Sequence, residues 1–223
     1  MRTRSAVHRT VLAVDVQGFG DRWRATPQQL AVRKGMYRAL ENAFNATGIS
    51  WAECHREDRG DGLMVMAPSR APKSLFVELF PHAVAAELRA HNATRPVEQQ
   101  IRLRLALHAG EVVFDAHGVA GAAVDLTFRL LDAPVLKQAL AESPGVLAMV
   151  TSGWFFEEVV RNSPVADPAA YSRVRVAVKG TTTIAWISRP DRPYPGDHES
   201  GATVTMTATS SDSGRVYQAA RDQ

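Results

Sequence analysis

Between residues 101 and 114 the chain reads IRLRLALHAGEVVF, a pattern that an amphipathic helix cannot use. Ile101, Leu103, Leu105 and Leu107 fall on one side of a period-two repeat, and Arg102, Arg104 and His108 fall on the other. Successive side chains of a strand point to opposite faces, so this segment is a half-buried strand. Ala109-Gly110 predicts a turn, with EVVF as the returning strand.

The remaining segments assemble around it. TVLAVDVQGFG is an apolar, β-branched run that ends in Gly18 and Gly20, a buried strand followed by a loop. From Thr26 to Ala46, Leu30, Met36, Leu40 and Phe44 recur at roughly helical spacing, and Thr26-Pro27 is a good helix start. ISWAECHRE and GLMVMAP predict two strands joined through Gly60-Asp61-Gly62. Residues 73–91 predict a helix interrupted at Pro81, and AAVDLTFRLLDAPVLKQAL one broken near Pro134. GVLAMVTS is a late strand, and YSRVRVAVKGTTTIAWIS a hairpin through Gly180. The order of strand, helix, strand, strand, helix, strand implies an α+β fold. Its antiparallel sheet carries helices on one face, in a ferredoxin-like arrangement. Residues 1–8 read as an extension and 9–188 as the folded domain. From 189 to 223 the chain is rich in Pro, Ser, Thr, Gly and Asp and reads as a disordered tail.

Composition narrows the function classes. At 223 residues, 45% hydrophobic and 22% charged, the chain can bury a real core. The net charge of +3 is spread along the chain, without the block of like charges that marks a nucleic-acid arm. The strands also lack the aromatic stacking positions that an RNA-binding sheet needs. Cys54 is the only cysteine, which excludes an internal disulfide and a cysteine-based zinc site and points to a reducing compartment. No apolar run approaches the roughly 20 residues of a membrane span, and the expected location is the cytoplasm.

Two acidic residues sit beside glycines at strand ends. Asp15 closes TVLAVDV and Asp61 lies in the hairpin turn. In a ferredoxin-like sheet the first strand lies beside that hairpin, so the carboxylates can converge. A hard divalent cation takes one or two carboxylates, often a backbone carbonyl, and phosphate oxygens. The loop through Gly18 and Gly20 frees backbone N–H groups to approach phosphate. The competing reading is structural: Asp beside Gly is common in turns, and Asp15 can cap the next segment.

Whole segments decide between these readings. VLAVDVQGFG resembles the first strand and metal loop of the class III nucleotidyl (adenylate and guanylate) cyclase catalytic domain, and EDRGDGLMVM its second metal hairpin. IRLRLALHAGEVV resembles its Arg-x-Gly-Ile-His-Ser-Gly-x-Val segment, GAAVDLTFRLL its Gly-x-x-Val-Asn-x-Ala-x-Arg helix, and VAVKGTTTIAWI its closing Val-Lys-Gly hairpin. The matches run in order over residues 9–188.

The resemblance implies roles. Asp15 and Asp61 would hold two divalent ions, Mg²⁺ or Mn²⁺, with the carbonyl of Val16. Gly18, Phe19 and Gly20 would line the phosphate pocket. Arg129, otherwise a solvated helix residue, would stabilise charge at the α-phosphate, and Lys179 would bind phosphate. The family acts as head-to-tail dimers, which implies a homodimer with composite sites. The chain also departs from the family. Asp125 stands where Asn precedes the arginine, placing a negative charge near a triphosphate. Glu57 occupies the base-selecting position, which is Lys in adenylate and Glu in guanylate cyclases. Gly118 occupies the partner position, where Asp or Cys is usual. Arg59 replaces an apolar residue and carries five donors that can read the carbonyl of a smaller base. Stand-alone cyclases of bacterial anti-phage systems, which make cyclic CMP or cyclic UMP, also look like this. The leading expectation is a cyclase acting on a pyrimidine triphosphate (UTP or CTP). A guanylate cyclase and a degenerate nucleotide- or protein-binding module are the rivals.

Overall fold

The computed structural model describes residues 5–191. The expected tail beyond 191 lies outside the described residues. Eight strands form one mixed sheet: β1 (Val7–Val16), β2 (His55–Asp58), β3 (Gly62–Ala67), β4 (Leu103–Asp115), β5 (Gly118–Ala120), β6 (Leu147–Ser152), β7 (Tyr171–Val178) and β8 (Thr181–Ser188). The order across the sheet is β2-β3-β1-β4-β6-β8-β7, with β5 paired only to β4. Every pairing is antiparallel except β4 with β6.

The expected ferredoxin-like helices occupy one face. They are α1 (Thr26–Ala46), the short α2 (Leu75–Glu78) and α3 (Phe80–Ala93). Leu12, Val14, Leu63, Val65, Leu105 and Met149 project toward them, and the core closes around Phe44. Its ring meets Trp51, Phe76 and Phe80 at 5.1, 6.0 and 4.7 Å, contacts that add to the burial itself. Beyond this repeat, α4 (Ala122–Leu131) and α5 (Pro134–Ala141) cover the small residues of the other face, Ala13, Ala106, Ala148 and Ala185. No helix among the described residues is long and apolar enough to cross a membrane.

Two local expectations need correction. Ala109-Gly110 is not a turn, because β4 runs unbroken through it. β1 is long enough to pair with the whole segment, from Val16↔Leu103 to Val7↔Val112. The glycine serves packing instead: a Cβ at Gly110 would lie 2.9 Å from the Ala123 Cβ of α4. The strand expected across ISWAECHRE begins only at His55. Residues 51–53 form a helical turn that tucks Trp51 under α1. A further helical stretch covers residues 153–160, after β6. Pro81 divides the 73–91 segment as expected, starting α3 after the break at Leu79.

β4 and β6 are tied just beyond their last pair, Leu107↔Thr151, by His108. Its Nδ1 lies 2.7 Å from Ser152 Oγ, which also accepts from the Phe155 N–H at 3.1 Å. The hydroxyl has two lone pairs and one proton, so either tautomer of a neutral imidazole satisfies this contact. Burial, and secondarily His8, push its pKa down to about 4. The unfolded chain takes up this proton near 6.5. Stability is thus fully present above 6.5 and is lost as pH falls toward 4. Urea unfolding of the wild type should show about 2 kcal/mol less stability at pH 5 than at pH 7.5 from this group alone. His108→Gln should remove that part of the pH dependence; an unchanged slope would contradict the neutral, half-buried state.

Candidate functional site

Three strand ends meet at Asp15. The register pairs it with Gly62 of β3 on one side and with Arg104 of β4 on the other. A Cβ at Gly62 would stand 2.0 Å from the Val14 carbonyl oxygen, so only glycine lets the hairpin close onto β1. Gly60 adopts φ +82°, which turns the chain so that Asp61 follows at the tip. Val16 N–H donates to the Asp61 carbonyl at 3.0 Å. Asp15, Val16 and Asp61 are therefore at one corner. Asp61 is exposed, and Asp15 is nearly covered.

Arg104 is the residue here that sequence reasoning missed. Its Nε and Nη2 donate to the two Asp15 oxygens at 2.7 Å each, and both side chains are only 14% exposed. The signal was present: Arg104 lies on the polar side of the alternating run, and antiparallel pairing with β1 puts it opposite Asp15. Burial raises the Asp15 pKa to about 6 even so. Arg104 and, more weakly, Lys137 pull it down, and Asp61 pushes it up. The pair suits a divalent cation. Asp15 has about four lone-pair directions, of which the arginine fork takes two, and a cation would relieve its repulsion with Asp61. No larger cluster of metal-ligating side chains exists among the described residues. Two carboxylates and a carbonyl match an ion that completes its shell with water and phosphate oxygens.

The loop after β1 is held from several sides. Gly18 has φ +66°, and a Cβ there would collide with the Asp21 carboxylate at 2.4 Å. Phe19 N–H donates to the Val16 carbonyl at 3.4 Å, and Gln29 donates to the Phe19 carbonyl at 3.3 Å. Arg24, buried, donates to the Gln100 carbonyl at 2.8 Å and anchors the loop to the segment before β4. Gly20 has no such constraint; nothing lies within 4 Å of its would-be Cβ. Between loop, helix and hairpin is a cavity of about 250 Å³, lined by Phe19, Thr26, Gln29, Arg33 and Asp61. A larger cavity of about 490 Å³, by Pro81, Met149 and Tyr171, opens on the α1–α3 face. It is remote from the carboxylates, since Asp15 shares a side of β1 with Ala13.

A second group of the expected residues lies apart from the carboxylates. Glu57 accepts from Arg59 at 2.8 Å and from His55 at 3.0 Å. The Arg59 guanidinium lies 5.0 Å over the Phe128 ring of α4. Gly118, with φ +134°, sits where a Cβ would be 3.1 Å from Glu57 Oε1. Asp125 and Arg129, four residues apart, share a face of α4. Arg129 donates to Thr181 Oγ1 at the start of β8. Lys179, at φ +47° in the β7–β8 turn, pairs with Asp132 at 2.7 Å. Asp125 is exposed. No side-chain hydrogen bond or ion pair among the described residues joins this group to Asp15 and Asp61; they share only the backbone of the β2–β3 hairpin.

No known family model and no curated protein matches this sequence. Solved structures do. An adenylate/guanylate cyclase/hydrolase from Silicibacter pomeroyi is similar at TM-score 0.59 and 15% identity, over 85% of this chain and 100% of that one. The adenylyl cyclase CyaB from P. aeruginosa is similar at TM-score 0.51 and 16% identity, over 86% of this chain and 100% of that one. The guanylate cyclase domain of RhGC from Catenaria anguillulae, in complex with GTP, is similar at TM-score 0.51 and 14% identity, over 82% and 96%. The chain thus has the fold of the class III adenylate/guanylate cyclase catalytic domains.

Proposed function

We propose that this protein is a nucleotidyl cyclase that converts a nucleoside triphosphate to its 3′,5′-cyclic monophosphate and pyrophosphate. The observation that carries the reading is the convergence of Asp15 and Asp61 on one corner, within a fold shared with adenylyl and guanylyl cyclases. In the reaction the ribose 3′-oxygen attacks the α-phosphorus, its proton leaves, and the bond from that phosphorus to the oxygen bridging to the β-phosphate breaks. Divalent ions, when bound, acidify the 3′-hydroxyl and neutralise the triphosphate.

The chain's own residues supply the rest. Asp15, the Val16 carbonyl and Asp61 hold the ions, and Arg104 fixes the Asp15 carboxylate in orientation. The loop through Gly18, Phe19 and Gly20 offers backbone N–H groups to phosphate. Arg129 and Lys179 provide positive charge for the α-phosphate and the leaving pyrophosphate. Asp125, beside them, weakens that charge. Arg59, Glu57 and Gly118 form the base end. The separation of this group from the carboxylates supports a homodimer whose sites each draw one group from either copy. Glu57 argues against ATP, and Arg59 with Gly118 favours a pyrimidine.

Incubation with each of ATP, GTP, CTP and UTP and Mn²⁺ tests the reading directly. A cyclic pyrimidine nucleotide is the expected main product, and Asp61→Ala should lower its formation by at least a hundredfold. Product from GTP alone would sink the pyrimidine assignment, and no product from any triphosphate would favour a binding module.

Turnover should also depend on the proton at Asp15. Its carboxyl, raised to about 6, is protonated and unable to hold a cation below that pH. Activity should therefore fall on the acid side, about tenfold per pH unit. Cation and proton compete for the same oxygens, so raising Mn²⁺ should move this limb to lower pH. A limb that does not move with Mn²⁺ would remove Asp15 from the ligand set.

A further inference from the structure

The α1–α3 side of the sheet holds a cavity that the nucleotide reading leaves unused. It encloses about 490 Å³, within the range of ordinary ligand sites, about 300–1,000 Å³. On the sheet side it is lined by Met149 of β6, Tyr171 of β7 and Ser188 of β8, and on the helix side by Val77 of α2 and Pro81 of α3. Leu79 and Val165 also line it and are 51% and 65% exposed, so apolar surface continues out to its mouth.

Two hydroxyls enter this apolar lining. The β7–β8 register pairs Tyr171 directly with Ser188, and the two residues are only 8% and 4% exposed. Ser188 Oγ is buried and makes no hydrogen bond of ordinary geometry among the described residues. Even a bond between the two hydroxyls would use one of their two protons and leave the other to give. Burial also pushes the Tyr171 phenol well above its usual range, so it stays a donor. A buried polar group without a partner is uncommon and costs stability. Phenylalanine and alanine would fill the same space without that cost.

The charges around the cavity narrow the class of ligand. Glu78, Asp167 and Asp191 line it, against Arg189 and His82. That balance opposes an anion. Each carboxylate already accepts a hydrogen bond, from Ser163 Oγ at 2.6 Å, from the Ala169 N–H at 2.9 Å and from the Val146 N–H at 2.7 Å. The other Asp191 oxygen lies against Gly145, where a Cβ would stand 2.5 Å away. The carboxylates therefore make no call on a ligand cation, and an uncharged molecule fits best.

We propose that this cavity is a second ligand site, for a compact, uncharged and largely apolar molecule that brings one hydrogen-bond acceptor to Tyr171 and Ser188. The site would stand whether or not the chain turns over a triphosphate.

The isosteric pair α-tetralone and tetralin, which differ by one carbonyl, tests it by saturation-transfer NMR on the full chain. The wild type should bind α-tetralone saturably and about three- to tenfold tighter than tetralin, the range of one net hydrogen bond. Tyr171→Phe combined with Ser188→Ala removes two oxygens and keeps the packing. This double variant should bind tetralin as the wild type does and show no preference for the ketone. Ala170→Trp, at an exposed position of the turn before β7, should fill the cavity and abolish binding of both probes. Naphthoate, similar in size but anionic, should bind more weakly than α-tetralone. Absence of saturable α-tetralone binding by the wild type would overturn the proposal, as would binding that survives Ala170→Trp. A ketone preference that persists in the double variant would show that the hydroxyls do not hold the carbonyl and would overturn it too. Tighter binding of naphthoate would assign the cavity to anions and overturn the class of ligand.

Discussion

The fork between Arg104 and Asp15 sets the terms for the site. Asp15 stands on the interior strand β1, between β3 and β4, at a place where water has little access. An isolated carboxylate there would take up a proton. Arg104 offsets part of that cost and locks the carboxylate plane, but burial still outweighs the attraction, since the pKa stays raised. The folded protein therefore carries a carboxylate that would be more comfortable neutral. A fold selected only for stability would replace both residues with apolar ones of similar volume, which is often neutral or stabilising. Their retention is easier to understand if a cation completes the charge balance.

Much of the fold was legible in the sequence because it rests on periodicity. The alternation in β4, the helical spacing in α1 and the glycines of the β2–β3 hairpin each encode a local geometry. The errors arose where tertiary packing overrode a local signal. Gly110 resembles a turn glycine, but its lack of a side chain makes room for Ala123. Trp51 lies in an alternating stretch, but its burial against Phe44 bends the chain into a helical turn. At the site, Asp15 and Asp61 stood out because strand order alone brings them together. Partners reached through side-chain geometry did not: the Arg104 fork, His55 behind Glu57, and Arg33 with Tyr37 on Asp58 appear only once register and rotamers are known.

The β2–β3 hairpin links the two halves of the site mechanically. Asp61 at its tip belongs with β1, whereas Glu57 and Arg59, four and two residues earlier, turn toward α4. Gly60 and Gly62 let this short ribbon face both ways, the first by its φ of +82° and the second by its contact with the Val14 carbonyl. Displacement at one end is therefore felt at the other over only a few residues. A base seated on Arg59 and a triphosphate held near Asp61 would pull on the same turn, even where they belong to nucleotides bound in different sites of a dimer.

Each cation of the proposed site already has a partner in the chain. Arg104 holds Asp15, Arg129 donates to Thr181, and Lys179 pairs with Asp132. These contacts differ in what they resist. The Lys179 pair is solvent-exposed, with side chains 72% and 43% accessible, and such pairs contribute about 1 kcal/mol or less. Exchanging Asp132 for a phosphate would therefore cost little. Arg129 would give up a neutral hydroxyl for an anion, a gain in charge complementarity. Arg104 is the exception, because releasing Asp15 would leave a buried carboxylate without its fork unless a divalent ion arrived together with the phosphate. If the chain is a nucleotidyl cyclase, as proposed, the order of binding that this favours is metal and triphosphate as a unit, entering a corner whose carboxylate is already aimed, with the exposed cations closing on it afterwards.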